Sequence, residues 1–321
     1  MGQVRETAER LWNGEVDTQE VHPIRWWFAE GEEVAEGVLF YKGLASANTI
    51  DTGDGLVMLD TGARQDQTLL HQAVRRWRPE APLRKAVFSD HIFGVEPFEE
   101  EAAAKGWPRP ETIGHAHIRR NLDRYIKTRG WNRAINIRQF ALPPDRFEWP
   151  GDFRYPDVEY DDRLTLTVGE LTFELHHARG ETEDATWTWV PGRKLLAPGD
   201  LFIWAVPNAG NPQKVQRYVS EWAAALRQMA ALGAEVMLPG HGLPIFGAER
   251  IRAALSDTAE LLETIEEQVL ALMNRGATLD RVLREIEVPA RLLEKPYLRP
   301  VYDHPEFIVR NVWRLYGGWH D

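Results

Sequence analysis

The sequence predicts an α/β protein in which two β-sheets lie between layers of helices, followed by a small all-helical unit. Three observations support this prediction. A strand, a helix and a strand follow one another between residues 56 and 88, a second strand-rich block begins at residue 163, and helical patterns dominate after residue 250. Two strand-rich halves separated by helices favour a two-sheet sandwich over a single doubly wound sheet.

The first half begins with a polar segment, residues 1–36, which predicts a helix and an irregular arm. Short apolar runs bounded by turn residues then predict strands at Val38–Phe40, Ser46–Ile50, Leu56–Leu59 and Ala86–Phe88. Apolar residues at helical spacing predict a helix from Leu69 to Trp77, which Pro79 ends.

The second half begins with residues 107–161, whose Trp, Pro, Arg and Asp content predicts a long insertion that partly covers a site. Further strands are predicted at Arg163–Val168, Leu171–Leu175, Thr186–Val190, Lys194–Ala197 and Glu235–Leu238. A helix ends at Gly233, an apolar stripe runs from Ile251 to Leu272, and a last helix starts at Pro305. We therefore predict an arm at 1–36, a sandwich domain at 37–250 and a helical unit at 251–321 that offers a dimer surface.

Composition narrows the classes of function. The formal net charge of −11 argues against a nucleic-acid partner. The chain has no cysteine, so any metal must be held by His, Asp and Glu. The N-terminal residues lack the apolar core of a signal peptide, and no apolar run approaches the ~18 residues that span a bilayer. We expect a cytoplasmic enzyme with no membrane span.

Acidic or imidazole side chains follow apolar strands at five places. These are Asp60, Asp90 with His91, the segment Glu181 to Asp184, Asp200 and His241. Each place alone has a common structural interpretation, because Asp-Thr-Gly, Gly-Asp and Pro-Gly-His occur often in turns. Their order, each after an apolar strand, is much more specific.

In this order the motifs resemble the metallo-β-lactamase fold superfamily. Asp60 matches its first motif, and Asp90-His91 matches the end of its Thr-His-x-His-x-Asp-His motif. Asp200 matches the bridging Asp, and His241 matches the last His. The resemblance implies an αβ/βα four-layer sandwich with two metal ions, usually zinc, and a metal-bound hydroxide that attacks the substrate.

Within the superfamily the chain looks most like the bacterial alkyl sulfatases. The segment from Glu181 to Asp184 stands where most members have Gly-His-Thr, and a carboxylate ligand there is typical of sulfatases. Residues 309–321 look like the alkyl sulfatase dimerisation region, which implies a homodimer. The likeness covers roughly residues 37–321, and we expect no lipid-carrier-like domain because the chain stops at Asp321.

The chain departs from the family motif at Asp90, because the His-x-His that should precede it is missing. By the resemblance, the lost histidines belong to the first metal site, which keeps only Glu181 or Asp184 and a share of Asp200. The second site keeps four ligands, namely Asp90, His91, Asp200 and His241. We therefore predict one tightly held zinc ion, two if other ligands rescue the first site, with manganese or iron also possible. Asp90 and Asp200 are the predicted catalytic residues.

Other histidines and cations have two interpretations each. His115 and His117 resemble the missing pair but are interpreted as the start of a surface helix, and one of His176 and His177 is expected to face the site. Two further residues, Lys214 and Arg217, follow the Asp200 loop; they either bind a sulfate or carboxylate group or form a solvated helix face.

Three functions are compatible with these motifs. The first is a metal-dependent hydrolase similar to alkyl sulfatases, acting on a small-molecule sulfate ester or another ester. The second is a catalytically inactive pseudoenzyme that serves as a binding or dimeric scaffold protein. The third is a lactonase or thioesterase-like hydrolase, because the fold alone does not determine the substrate.

Overall fold

The computed structural model describes residues 2–89, 91–210 and 216–318. Within them, the strands are β1 Phe28–Ala35, β2 Val38–Lys42, β3 Ser46–Asp51, β4 Leu56–Leu59, β5 Leu83–Phe88, β6 Glu111–His115, β7 Val158–Tyr160, β8 Arg163–Val168, β9 Leu171–His177, β10 Thr186–Val190, β11 Leu195–Gly199, β12 Val236–Pro239 and β13 Ile245–Phe246. The helices are α1 Gln3–Trp12, α2 Gln67–Trp77, α3 Glu96–Lys105, α4 His117–Lys127, α5 Arg129–Phe140, α6 Val219–Ala230, α7 Ala248–Met273, α8 Leu279–Glu285, α9 Ala290–Leu293 and α10 Pro305–Leu315.

The strands form two sheets. Sheet A has the order β1-β2-β3-β4-β5-β6-β7, and sheet B has the order β13-β12-β11-β10-β9-β8. In sheet A the pairs from β4 to β7 are parallel, and in sheet B the pair β11–β12 is parallel. The carboxyl ends of parallel neighbouring strands lie at the same edge of a sheet. The loop that follows β5 therefore starts at the carboxyl edge of sheet A, and the loops that follow β11 and β12 start together at the carboxyl edge of sheet B.

Alternate side chains of sheet A face two different layers, as the period of two along a strand requires. Leu39, Leu56 and Met58 pack against Leu70 and Val74 of α2. Their neighbours on the opposite face join the large core between the sheets, which contains Phe40, Ile50, Val57, Phe173, Leu175 and Trp187. The same core extends through sheet B to α6 and α7, with Met237, Leu226 and Leu255 among its members. Helix, sheet, sheet and helix thus form four layers.

The predicted fold class is therefore confirmed, including the helical region at the C-terminal end. Helix α10 packs against α7 and α8 there, through buried residues such as Ile308 and Val312. The division of the chain at residues 36 and 250 stays a prediction. Among the described residues, no helix combines the length and apolar character needed to cross a bilayer.

Two segments differ from the expectation. The arm contains strand β1, which pairs with β2 in an irregular antiparallel register. Residues 107–161 are also more than an insertion, since they supply β6 and β7 to sheet A as well as the helices α4 and α5. That this segment partly covers the site stays a prediction.

Candidate metal centre

Three predicted ligands converge between the two sheets. His91 follows β5 of sheet A, whereas Asp200 and His241 follow β11 and β12 of sheet B. One side-chain atom from each lies within 4.8 Å of the other two. Oδ2 of Asp200 is 3.4 Å from Nε2 of His241 and 3.8 Å from Nε2 of His91. The site is thus assembled from residues far apart in sequence.

The corner that carries His91 is held by Asp60. Asp60 is buried at the end of β4 with a φ of 57°, a conformation that is uncommon for residues other than glycine. Its carboxylate accepts hydrogen bonds from the backbone N–H of Ser89 at 2.9 Å and from the Ser89 hydroxyl at 2.6 Å. Both the N–H and the hydroxyl of Thr61 donate to the carbonyl of His91 at 2.9 Å. Asp60 and Thr61 therefore tie the end of β5 to the end of β4.

The turn that carries His241 is equally constrained. Nδ1–H of His241 donates to the carbonyl of Leu44 at 2.8 Å, which assigns the other ring nitrogen, Nε2, to the side facing Asp200. Glycine is required at position 240, because a Cβ there would lie 2.1 Å from Oδ1 of Asp200. The backbone N–H of Gly240 also donates to the carbonyl of Gly199 at 3.0 Å, which holds the ends of β11 and β12 together.

The geometry fits a divalent metal ion. Two imidazole nitrogens and a carboxylate oxygen are a donor set that zinc accepts at about 2.0–2.2 Å, so ligand atoms on a tetrahedral ion are roughly 3.3–3.5 Å apart. The separations of 3.4 and 3.8 Å around Oδ2 of Asp200 are close to this requirement. Within the described part of the chain, this is the one group of three or more such side chains close enough to share an ion.

The other predicted ligands lie elsewhere or cannot be placed. Glu181 forms an ion pair with Arg217, and the structure does not bring it into the group of three. Asp184 is buried in the same loop and is also outside that group. Two predicted residues, Asp90 and Lys214, lie outside the described residues. The ligand and catalytic roles of all of them stay predictions.

Arg217 is buried in the protein. Its guanidinium donates to the side chain and to the carbonyl of Glu181, the latter at 3.0 Å, and to Oδ1 of Asn208 at 3.2 Å. Nδ2 of Asn208 in turn lies 3.3 Å from Oε1 of Glu181. The alternative that Arg217 belongs to a solvated helix face is wrong, because only 1% of its side chain is exposed.

The sequence analysis missed two residues on this side of the site, Tyr302 and Asp303. Burial, and then the nearby Glu181 carboxylate, raises the pKa of the Tyr302 phenol to about 12. Burial likewise raises the pKa of the Asp303 carboxyl to about 6, although Arg217 opposes this shift. Both residues lie in the irregular connection before α10, where local sequence carries no signal for a site. Only the fold brings them near Arg217.

Three histidines form a separate cluster. His115 ends β6 and is buried, so the expected surface helix begins only at His117. The ring of His115 stacks on that of His177 with centroids 3.7 Å apart. Its Nε2–H donates to the carbonyl of Asp161 at 2.7 Å, and its Nδ1 accepts from the N–H of His117 at 3.2 Å. With both ring nitrogens bonded to backbone groups, His115 has no lone pair to offer a metal ion.

His176 precedes His177 in β9, and its ring stacks on Trp187.

Comparisons with known proteins agree with this architecture. A family model described as the metallo-beta-lactamase superfamily matches residues 42–241, and one described as alkyl sulfatase dimerisation matches residues 278–321. A linear primary-alkylsulfatase from Pseudomonas sp. is 26% identical over 291 residues, covering 84% of this chain and 55% of the relative. An (R)-specific secondary-alkylsulfatase from Pseudomonas sp. is 27% identical over 325 residues, covering 90% and 48%. The chain thus spans about half the length of the curated relatives it matches.

Solved structures show the same fold. A stereoselective inverting sec-alkylsulfatase from Pseudomonas sp. superimposes with a TM-score of 0.77 at 21% identity, covering 90% of this chain and 50% of that one. A metallo-beta-lactamase family protein from Thermus thermophilus gives a TM-score of 0.55 at 15% identity, covering 88% and 95%. At these identities the likeness concerns the fold alone.

Proposed function

Because the chain belongs to the metallo-beta-lactamase superfamily, we propose that it is a metal-dependent hydrolase similar to the alkyl sulfatases. The proposed substrate is a small-molecule sulfate ester or another ester. The observation that carries this proposal is the convergence of His91, Asp200 and His241 between the two sheets. The names of the curated relatives support a sulfate ester over other esters.

We assign His91, Asp200 and His241, together with Asp90, to one zinc ion, with manganese or iron as alternatives. The chemistry that such an ion supplies is activation of water as a nucleophile near neutral pH. Asp200 is the proposed catalytic carboxylate among the described residues, because a carboxylate beside the ion can also accept a hydrogen bond from the attacking water. Asp90 is the second proposed catalytic residue.

We propose that Arg217 and Lys214 bind the anionic group of the substrate. A guanidinium can bind a sulfate through two parallel hydrogen bonds, which makes Arg217 the stronger candidate. Arg217 is already bonded to Glu181, so a sulfate at this position would compete with that carboxylate. Glu181 and Asp184 remain the candidates for a first metal site if a second ion binds.

Turnover of a chromogenic sulfate ester, measured with added zinc or manganese, tests the proposed function. We expect turnover in the purified chain that a chelator removes and the metal restores. His241→Ala should abolish it, whereas Arg227→Met, on the exposed face of α6, should leave it unchanged. A protein that binds zinc at this site but turns over neither sulfate esters nor other esters contradicts the hydrolase.

Two observations favour the pseudoenzyme as a second candidate. The predicted anion-binding side chain, Arg217, is occupied by a residue of the same chain, Glu181, while the His-x-His before Asp90 is missing. Inserting His-x-His ahead of Asp90 separates the two candidates. If the parent chain shows no turnover and the insertion gives both a second metal equivalent and activity, the parent is the pseudoenzyme and the missing histidines are the cause. Turnover in the parent chain without the insertion favours the hydrolase.

We also propose that the chain forms a homodimer through its helical region, supported by the match to the alkyl sulfatase dimerisation family over residues 278–321. The separate helical unit at 251–321 and the cytoplasmic location stay proposals from the sequence.

A further inference from the structure

The loop between β2 and β3, residues 43–45, contacts His241 on the side of the imidazole that faces away from Asp200. Its central peptide belongs to Leu44, whose carbonyl accepts the Nδ1–H of His241 at 2.8 Å. The N–H of the same residue donates to Oδ2 of Asp66 at 3.0 Å. One residue's backbone therefore connects a buried carboxylate to a proposed metal ligand.

Asp66 is itself held in a tightly packed position. It lies just before α2 and is only 1% exposed. Its Oδ2 lies against Gly43, where a Cβ would approach to 2.3 Å, so a side chain at that position would displace the carboxylate. The fully buried Lys42 lies beside this loop, and its ammonium donates to the carbonyls of Gly43 and Leu44. Burial lowers the pKa of the Lys42 ammonium to about 7 and raises the pKa of the Asp66 carboxyl, and the attraction between the two groups opposes both shifts.

The orientation of the Leu44 backbone matters because it determines which nitrogen of His241 carries the proton. When the Leu44 carbonyl accepts a hydrogen bond from Nδ1–H, the lone pair of the imidazole is on Nε2, which lies 3.4 Å from Oδ2 of Asp200. Groups that fix the tautomer and ring orientation of a ligating histidine typically change metal affinity by 10–100-fold when they are removed.

We propose that Asp66 is a positioning residue for His241, acting through the Leu44 backbone on the tautomer and orientation of the imidazole. Asp66 needs no contact with an ion for this role. The inference rests on the proposed function in so far as His241 holds a metal ion.

Two measurements on the whole chain test the proposal. The ¹⁵N chemical shifts of the His241 imidazole, recorded without metal, report the tautomer, and competition with a chromophoric chelator gives the zinc affinity. Asp66→Ala should reduce the population of the Nδ1–H tautomer and weaken zinc binding by about tenfold or more. Asp66→Asn keeps an oxygen that can accept the Leu44 N–H, so it should restore the parent tautomer.

Glu101→Ala is the matched control, because it removes a largely buried carboxylate of α3 that pairs with Arg75. It should lower stability without changing either readout. Gly43→Ala displaces the Asp66 carboxyl but does not remove it. It should change the His241 tautomer and the zinc affinity in the same direction as Asp66→Ala, and it replaces that variant in the test if Asp66→Ala fails to fold.

The outcomes separate this inference from the proposed function. An unchanged tautomer and unchanged zinc affinity in Asp66→Ala overturn the positioning role while leaving the metal centre intact. A parent chain that has the Nδ1–H tautomer, and loses it in Asp66→Ala, but binds no zinc supports the positioning role and contradicts the metal centre.

Discussion

Arg217 and Glu181 form a buried ion pair in which each charge depends on the other for its stabilisation. Their side chains are 1% and 4% exposed, so water screens neither charge. Burial of two ions costs several kcal/mol each, and their attraction offsets this cost only while both are present. The pair is therefore weak evidence for net stability, although its disruption has a large effect.

Arg217→Met should lower the free energy of unfolding by about 3–5 kcal/mol, because it removes the guanidinium that pairs with the buried Glu181 carboxylate. Urea unfolding of the metal-free protein measures this change. Arg227→Met removes a guanidinium from an exposed pair with Glu263 and should cost less than about 1 kcal/mol. Equal losses in the two variants would contradict the buried pairing.

Asp303 makes stability depend on pH. Its folded pKa of about 6 is above the unfolded value, so its contribution to stability is complete below pH ~4 and is lost as pH rises through about 6. Asp303→Asn removes this titration and should be more stable than the parent at pH 8 by on the order of 2 kcal/mol. Urea unfolding at several pH values measures the effect.

Asp145→Asn is the control for Asp303→Asn, because the Asp145 carboxyl is exposed. This substitution should leave the pH profile of stability as it is in the parent. Parallel pH profiles for Asp303→Asn and the parent would show that Asp303 does not titrate in this way.

The residues of the centre were predictable to the extent that their signals are local. Asp200 and His241 each follow an apolar strand in a recognisable turn, and the structure places both with His91. The partner of Arg217 was not predictable, because Glu181 lies 36 positions away and is brought near only by packing. The same holds for Tyr302, which no local pattern distinguishes from other tyrosines.

At the scale of elements, the sequence analysis missed β1 and β6 because neither strand contains an apolar run longer than two residues. Strand β1 contains Glu30, Glu32 and Glu33, and only its Val34 is buried, as suits an irregular strand at the edge of a sheet. Strand β6 is five residues long and includes Gly114. The strands that were predicted, such as β4 and β10, are continuous buried runs.

Helix α10 provides an element-level test of the homodimer. Phe307 on this helix is 45% exposed and lies within residues 278–321, which match the dimerisation family, so its ring is available for contact with a second subunit. Phe307→Glu should weaken the dimer, because a charge would have to be desolvated at the contact. Sedimentation velocity over a range of protein concentrations measures the change.

Leu69→Glu is the matched control for the dimer. Leu69 is 41% exposed on α2, outside the region that matches the dimerisation family. It should leave the association unchanged. A parent chain that is monomeric throughout, or equal weakening by the two substitutions, would contradict a dimer formed by α10.

At the scale of the whole molecule, the proposed ligands come from both sheets. His91 follows β5 of sheet A, whereas Asp200 and His241 follow β11 and β12 of sheet B. An ion bound to all three would connect the two halves of the sandwich, and a ligand that binds only the folded state stabilises it by mass action. Saturating zinc should therefore raise the midpoint of thermal unfolding in the parent, as scanning calorimetry would show, but not in His241→Ala.

The central claim is a metal centre that holds one ion at His91, Asp200 and His241. The most direct test is the metal content of the chain, purified without chelators and then dialysed to equilibrium against zinc. We predict one equivalent per chain for the parent and none for the double variant Asp200→Asn, His241→Ala. Two equivalents, or one equivalent that survives in the double variant, would contradict the claim.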